Sequence, residues 1–275
     1  PQNQRINHID TITVKDAMKK LVALVLFFLV LPALAEDTPP DYAREKKWAD
    51  EILPNVVVGD PVYLKTKSGI KFLSLLTEPK EPKAAVILVH GRGWHPDYEV
   101  VGPLRQALPD NGYTTLSIQQ VVLSPAAKFT HYEPLFPEAV ERIYAAVKYL
   151  QDKGYKRIAF VGHSLGSRMV NEYMWRDSDN PALFAWASIG MVHGTYDKPI
   201  HIPVPVLDLY TEKDYNVVLW YVDERIKELS QVKVKGSRQV MEPGAEHFFE
   251  GHEKQLIGHV LKFFDETLAA KTAQK

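Results

Sequence analysis

The sequence predicts an α/β fold: a mostly parallel, doubly wound sheet of about eight strands with no large cap domain. Three observations carry this. Apolar runs of strand length alternate with amphipathic stretches of 10 to 16 residues, which implies parallel strands joined by helical crossovers. Several of the runs, such as "AAVILVH" at 84–90, are apolar throughout, as strands covered on both faces are. The interval between Val192 and Val204 holds 11 residues, too few for an inserted helical cap.

Taken in order, the elements begin after a polar lead-in at 36–55, with room for one short charged helix. Val56, Val57 and Val58 with the segment 70–76 read as an opening antiparallel pair turned by Lys67-Ser68-Gly69. The buried strand 84–90 follows, then a helix at 100–108 stopped by Asn111-Gly112, then a strand at 113–118. Val140, Ile143, Val147 and Leu150 share one face of a helix spanning 138–153, and Gly154 occupies its C-terminal cap position. A strand at 157–161, a helix at 165–175 and strands at 183–192 and 204–210 come next. Val218, Val222, Ile226 and Leu229 mark one more helix, 238–242 the last strand, and Leu256, Val260 and Phe264 a terminal helix.

The N-terminal 35 residues stand apart. Met18-Lys19-Lys20, the 11-residue apolar run 21–31 and the A-x-A ending at Ala35 read as a cleavable secretory signal. The run is shorter than the roughly 20 residues a bilayer span requires, although an N-terminal anchor is the alternative. Residues 1–17 are read as an upstream extension outside the fold. Cleavage after Ala35 would leave a single domain, with 56–275 as its body, in the periplasm or secreted from a bacterium. That chain has 29 basic and 32 acidic residues, a net charge of −3, which gives no polyanion-binding surface and no expectation of nucleic acid. There is no cysteine, so disulfides, thiol nucleophiles and zinc–thiolate sites are excluded.

The candidate chemistry sits at strand ends, where ligands bind in such sheets. Gly162-His163-Ser164-Leu165-Gly166 joins a strand to a helix. The flanking glycines would let the chain turn sharply and expose the Ser164 hydroxyl at a helix N-terminus. An N-cap serine is the plainer reading of the same position. A serine nucleophile needs a base, and His247, in "EPGAEHFFEG" after the last strand, can supply it. The imidazole in turn needs an acid to fix its tautomer. Asp214 follows the strand 204–210 directly; Asp197, Asp208 and Glu212 are its rivals, and one strand between the serine strand and the acid strand favours Asp214. The glycines of His90-Gly91-Arg92-Gly93 would let the Arg92 N–H join that of Leu165 in stabilising an oxyanion. His90 is expected to bond locally. His163, Trp94, Tyr132 and Phe136 are candidate pocket residues, with Phe129 and Leu135 on the long loop 119–137 beside them. Neither His90 with His95 nor His247 with His252 has metal-ligand spacing, so no metal is expected.

Through "LVHGRG", "VGHSLG", "PVLDLYTEKD" and "GAEHFF" in that order, residues 56–270 resemble an α/β hydrolase. The stretch "HGRGWHPDYEVVGPLRQALPDNGYTTLSIQ" with "YEPLFPEAVERI" is similar to an exported proteobacterial branch of that superfamily. The resemblance implies Ser164 as nucleophile, His247 as general base, Asp214 as its orienter and no cofactor. The expected activity is cleavage of a small-molecule carboxylic ester or thioester through an acyl-enzyme, in an open, shallow site. A serine peptidase, or a non-catalytic binding or envelope-interaction protein on the same fold, is the alternative.

Overall fold

Alternate residues of the same apolar run face opposite layers, and this locates the core. In the strand Ala84–Val89, Ile87 and Val89 pack into one cluster and Val86 and Leu88 into another, all fully buried. The computed structural model describes residues 39–177 and 179–273. The upstream extension, the secretory segment 18–35 and the first residues of the lead-in lie outside the described residues. Among the described residues no helix is long and apolar enough to cross a membrane.

Eight strands form one sheet: β1 (Asp60–Lys65), β2 (Lys71–Thr77), β3 (Ala84–Val89), β4 (Tyr113–Ile118), β5 (Ile158–His163), β6 (Leu183–Ile189), β7 (Val206–Lys213) and β8 (Arg238–Glu246). Their order is β1-β2-β4-β3-β5-β6-β7-β8. The pairs β1–β2 and β2–β4 are antiparallel, and all others are parallel. Among the described residues seven α-helices accompany them: α1 (Tyr42–Ile52), α2 (Val101–Ala107), α3 (Phe136–Asp152), α4 (Leu165–Arg176), α5 (Asn216–Leu219), α6 (Val222–Leu229) and α7 (Glu253–Ala273). Helices α3 and α4 cover one face through Ile143, Val147, Met169 and Tyr173. Helices α2 and α7 cover the other through Leu104, Leu256, Val260 and Phe264. Each such side chain removed from water contributes about 1.5–3 kcal/mol, so covering both faces gives the sheet most of its stability. The doubly wound, mostly parallel architecture is the one the sequence predicts, and no large cap interrupts it among the described residues.

Two elements differ from expectation. The opening strand is 60–65, not 56–58; Val57 is 90% exposed, in a stretch outside the sheet. The segment 216–229 forms two helices, interrupted at Trp220 and Tyr221. On α6 the core-facing position belongs to Arg225, fully buried against Asp208, while Ile226 is turned to solvent.

Candidate active site

Register brings the strand ends together. Val89 pairs with Gly162 across β3 and β5, His163 with Ile189 across β5 and β6, and Lys213 with Glu246 across β7 and β8. The next residue or two along each strand therefore meet at one edge: the loop 90–93, Ser164, Gly190, Asp214 and His247.

Ser164 has φ 56° and ψ −119°, a left-handed conformation that non-glycine residues rarely hold. Its N–H donates to the Ile189 carbonyl at 2.8 Å, and its hydroxyl has no partner among the described residues. The glycines two positions away are required by contact. A Cβ on Gly162 would stand 2.7 Å from the Ser167 Cα, and one on Gly166 would stand 2.2 Å from the Val89 carbonyl oxygen. The serine does not cap α4 with its side chain, so the plain N-cap reading is not what the geometry shows.

His247 Nδ1 lies 2.5 Å from Asp214 Oδ1, both side chains being buried. Asp214 also accepts the N–H groups of Tyr215 at 2.8 Å and Thr211 at 3.2 Å. Burial pushes the Asp214 carboxyl up, but the hydrogen bond and charge of His247 and the two N–H donors outweigh it. The group is held below its ordinary value. With Nδ1 protonated toward Asp214, the His247 Nε2 is left as the free base. Tyr215 stacks on the imidazole at 4.2 Å, and Gly190 leaves the room it needs, since a Cβ there would approach Nδ1 to 3.1 Å. The loop after His247 is anchored by Phe249, fully buried at φ 57°, and by Glu242, which accepts from His252 at 3.3 Å and His259 at 2.8 Å.

The rival acids are occupied elsewhere. Asp208 is buried with Arg225 and Gln239, Glu212 accepts from the Gly244 N–H, and Asp197 is exposed and accepts from Asn171 at 2.8 Å. His90 is a local bridge: its Nε2 accepts the Gln120 N–H at 2.9 Å, so Nδ1 donates to the Gly91 carbonyl at 2.8 Å. Burial lowers its pKa to about 3, fixing it neutral.

Ser164, His247, His163, Tyr132, Trp94 and the 91–93 loop line a cleft of about 340 Å³. That volume suits a small molecule. Gly91 passes so close to the serine that a Cβ would stand 3.2 Å from the Ser164 Cβ. Neither the Arg92 nor the Leu165 N–H has an acceptor among the described residues. His163 does more than line the cleft, donating from Nε2 to the His247 carbonyl at 3.2 Å and so tying the serine turn to the histidine loop. Phe136 is placed differently: it is packed in the core at the start of α3 and does not line the cleft. Phe129 packs against His193, and Leu135 against the core. Three contributors were not singled out by the sequence: Gly190, Tyr215 and Arg44, the last reaching the cleft from α1. No group of three or more His, Cys, Asp or Glu residues among the described residues is arranged to hold a metal.

The fold is that of the α/β hydrolases. A dienelactone hydrolase from Anabaena variabilis superposes with a TM-score of 0.62 at 18% identity, covering 76% of this chain and 97% of that one. An esterase from Pyrococcus furiosus gives 0.62 at 16% identity over 76% and 92% of the two chains. An alpha-beta serine hydrolase homologue from Coxiella burnetii gives 0.56 at 18% identity over 75% and 98%. At these identities the likeness is one of fold. No protein-family model matches the sequence, and no curated protein matches it.

Proposed function

We propose that the protein is a serine hydrolase that cleaves a small carboxylic ester or thioester through an acyl-enzyme. The observation that carries the proposal is the 2.5 Å His247–Asp214 pair in the same cleft as a strained, unpartnered Ser164. In this reading Ser164 Oγ attacks the acyl carbon while His247 Nε2 takes its proton, and Asp214 stabilises the imidazolium. The Arg92 and Leu165 N–H groups receive the oxyanion, and the leaving alcohol or thiol departs with the proton from His247. Water then repeats the sequence on the acyl-enzyme and releases the acid. Esterases and a dienelactone hydrolase among the structural neighbours support hydrolysis over a binding role. The secretory-type segment 18–35 supports export to the periplasm or beyond as part of the same proposal.

A fluorophosphonate probe tests the nucleophile. Wild type is expected to label stoichiometrically and Ser164→Ala not at all, with hydrolysis of short-chain 4-nitrophenyl esters lost in parallel. Equal labelling of the two proteins, or none of either, would overturn the assignment.

A further inference from the structure

Acyl transfer to water needs a hydroxyl, an imidazole, a carboxylate and two N–H donors, but no net cation. Two arginines nonetheless line the cleft, Arg44 and Arg92. Neither has an ion pair among the described residues; the arginines that do, Arg105, Arg142, Arg176, Arg225 and Arg238, serve other contacts.

Arg44 is held in place. Its Nη1 donates to the Leu123 carbonyl at 2.6 Å, and its guanidinium lies 4.3 Å over the Trp48 ring. Trp48 stacks in turn on Trp94, a cleft residue. A Cβ on Gly93 would meet Arg44 Nη1 at 3.7 Å, Nη2 at 3.8 Å and the Tyr132 hydroxyl at 3.8 Å, so guanidinium, phenol and the 91–93 loop converge at one end of the cleft. The positive charge of Arg92 is near enough to Tyr132, Tyr215 and His193 to lower each of them. Of the nearby carboxylates, Asp41 caps α1 through the Arg44 N–H at 2.9 Å and Asp214 holds His247, while Glu99, pushed up by burial, keeps one carboxylate oxygen without a hydrogen-bond partner. A partly buried guanidinium without a counterion forgoes pairing that an incoming anion would supply, and its planar fork matches a carboxylate.

We propose that Arg44, with Arg92 as the second cation of the same cleft, makes it selective for esters that carry a second, free carboxylate. This rests on the serine-hydrolase reading. The bond broken is still the neutral ester C–O bond, and the carboxylate stays unreacted on Arg44.

Two measurements test it on the full chain. Adipate titrated into the protein, followed by Trp48 and Trp94 fluorescence, needs no turnover. Wild type is expected to bind it about tenfold or more tighter than Arg44→Gln, with partial rescue in Arg44→Lys. Inorganic phosphate binding as tightly as adipate would overturn the assignment to a carboxylate. The second measurement compares kcat/KM for the mono-4-nitrophenyl ester of adipate with its methyl-capped diester, and for 4-acetoxybenzoate with methyl 4-acetoxybenzoate. The first pair places the charge on the acyl group, the second on the leaving group. The charged member of at least one pair is expected to be preferred, and Arg44→Gln to reduce the preference about tenfold through KM. Equal values within both pairs, or a preference unchanged in both Arg44→Gln and Arg92→Gln, would overturn the proposal. Arg44-dependent adipate binding with no ester turnover would instead leave the anion site standing and remove the hydrolase reading.

Discussion

At the scale of single residues, Asp214 is the group whose partners most constrain its role. The Thr211 and Tyr215 N–H groups both point at its carboxylate, and each requires an acceptor. In Asp214→Asn the amide oxygen, kept at the Oδ2 position by the Thr211 N–H, would place the amide N–H₂ at the Oδ1 position, where it faces His247 Nδ1 and the Tyr215 N–H loses its acceptor. The imidazole would then carry its proton on Nε2, where it could not accept one from Ser164. A fall in kcat of about 10³–10⁴-fold with KM little changed is the expected steady-state result. An unchanged kcat would remove Asp214 from the mechanism. The strand-end positions of Ser164, Asp214 and His247 could be read from sequence because each follows a strand, apolar before Ser164 and Asp214 and polar before His247, and each residue type suits one step of the chemistry. Gly190 and Arg44 could not. The first matters only because β6 ends beneath the His247 ring, and the second only because α1 packs beside the 91–93 loop; neither proximity leaves a local pattern.

At the scale of elements, burial decided which were legible. Strands β3, β5 and β6 are buried end to end and appear as unbroken apolar runs. Edge strand β1, with Pro61 and a mostly exposed face, has no such signal, so the apolar Val56–Val58 triplet drew the assignment away from it. The helix at 216–229 misled for the opposite reason, since the ion pair of Arg225 with Asp208 takes the core-facing position that periodicity gave to Ile226. Charge also fixes α1. The fully buried Arg142 of α3 bonds Glu45 of α1 in a bidentate pair at 2.9 and 3.0 Å and Glu138 at 2.7 Å. Replacing Arg142 by alanine strands two carboxylates, one of them buried, and is expected to cost about 3–5 kcal/mol in urea unfolding. Because α1 carries Arg44 and Trp48, Trp48 fluorescence should report its release at lower urea than the far-UV signal of the sheet. Coincident, unshifted transitions would show that the pair does not hold α1.

For the molecule as a whole, placing the site at the buried end of the sheet has a thermodynamic consequence. His90 and His163 sit at adjacent strand ends, 2% and 3% exposed. Burial, aided at His163 by the charge of His247, pushes both down to about 3. In the unfolded chain each imidazole takes up a proton near its ordinary pKa of about 6.5. The unfolded state therefore binds more protons than the folded state between about 6.5 and 3. Stability is complete above that window and falls as the pH descends through it. At pH 5 each histidine contributes a loss of about 2 kcal/mol, and two together are a large part of the about 5–15 kcal/mol a domain of this kind possesses. Asp214, held below its ordinary value, adds a further loss only once the pH drops through the carboxylate range. Thermal midpoints are accordingly expected to decline continuously from pH 7 to pH 4. His90→Gln, which removes one of these titrations, should flatten the slope between pH 6.5 and pH 4 even if it lowers the midpoint at pH 7. A wild-type profile that is level from pH 7 to pH 5 would mean that these imidazoles accept protons in the folded protein, and that the floor of the cleft is open to water.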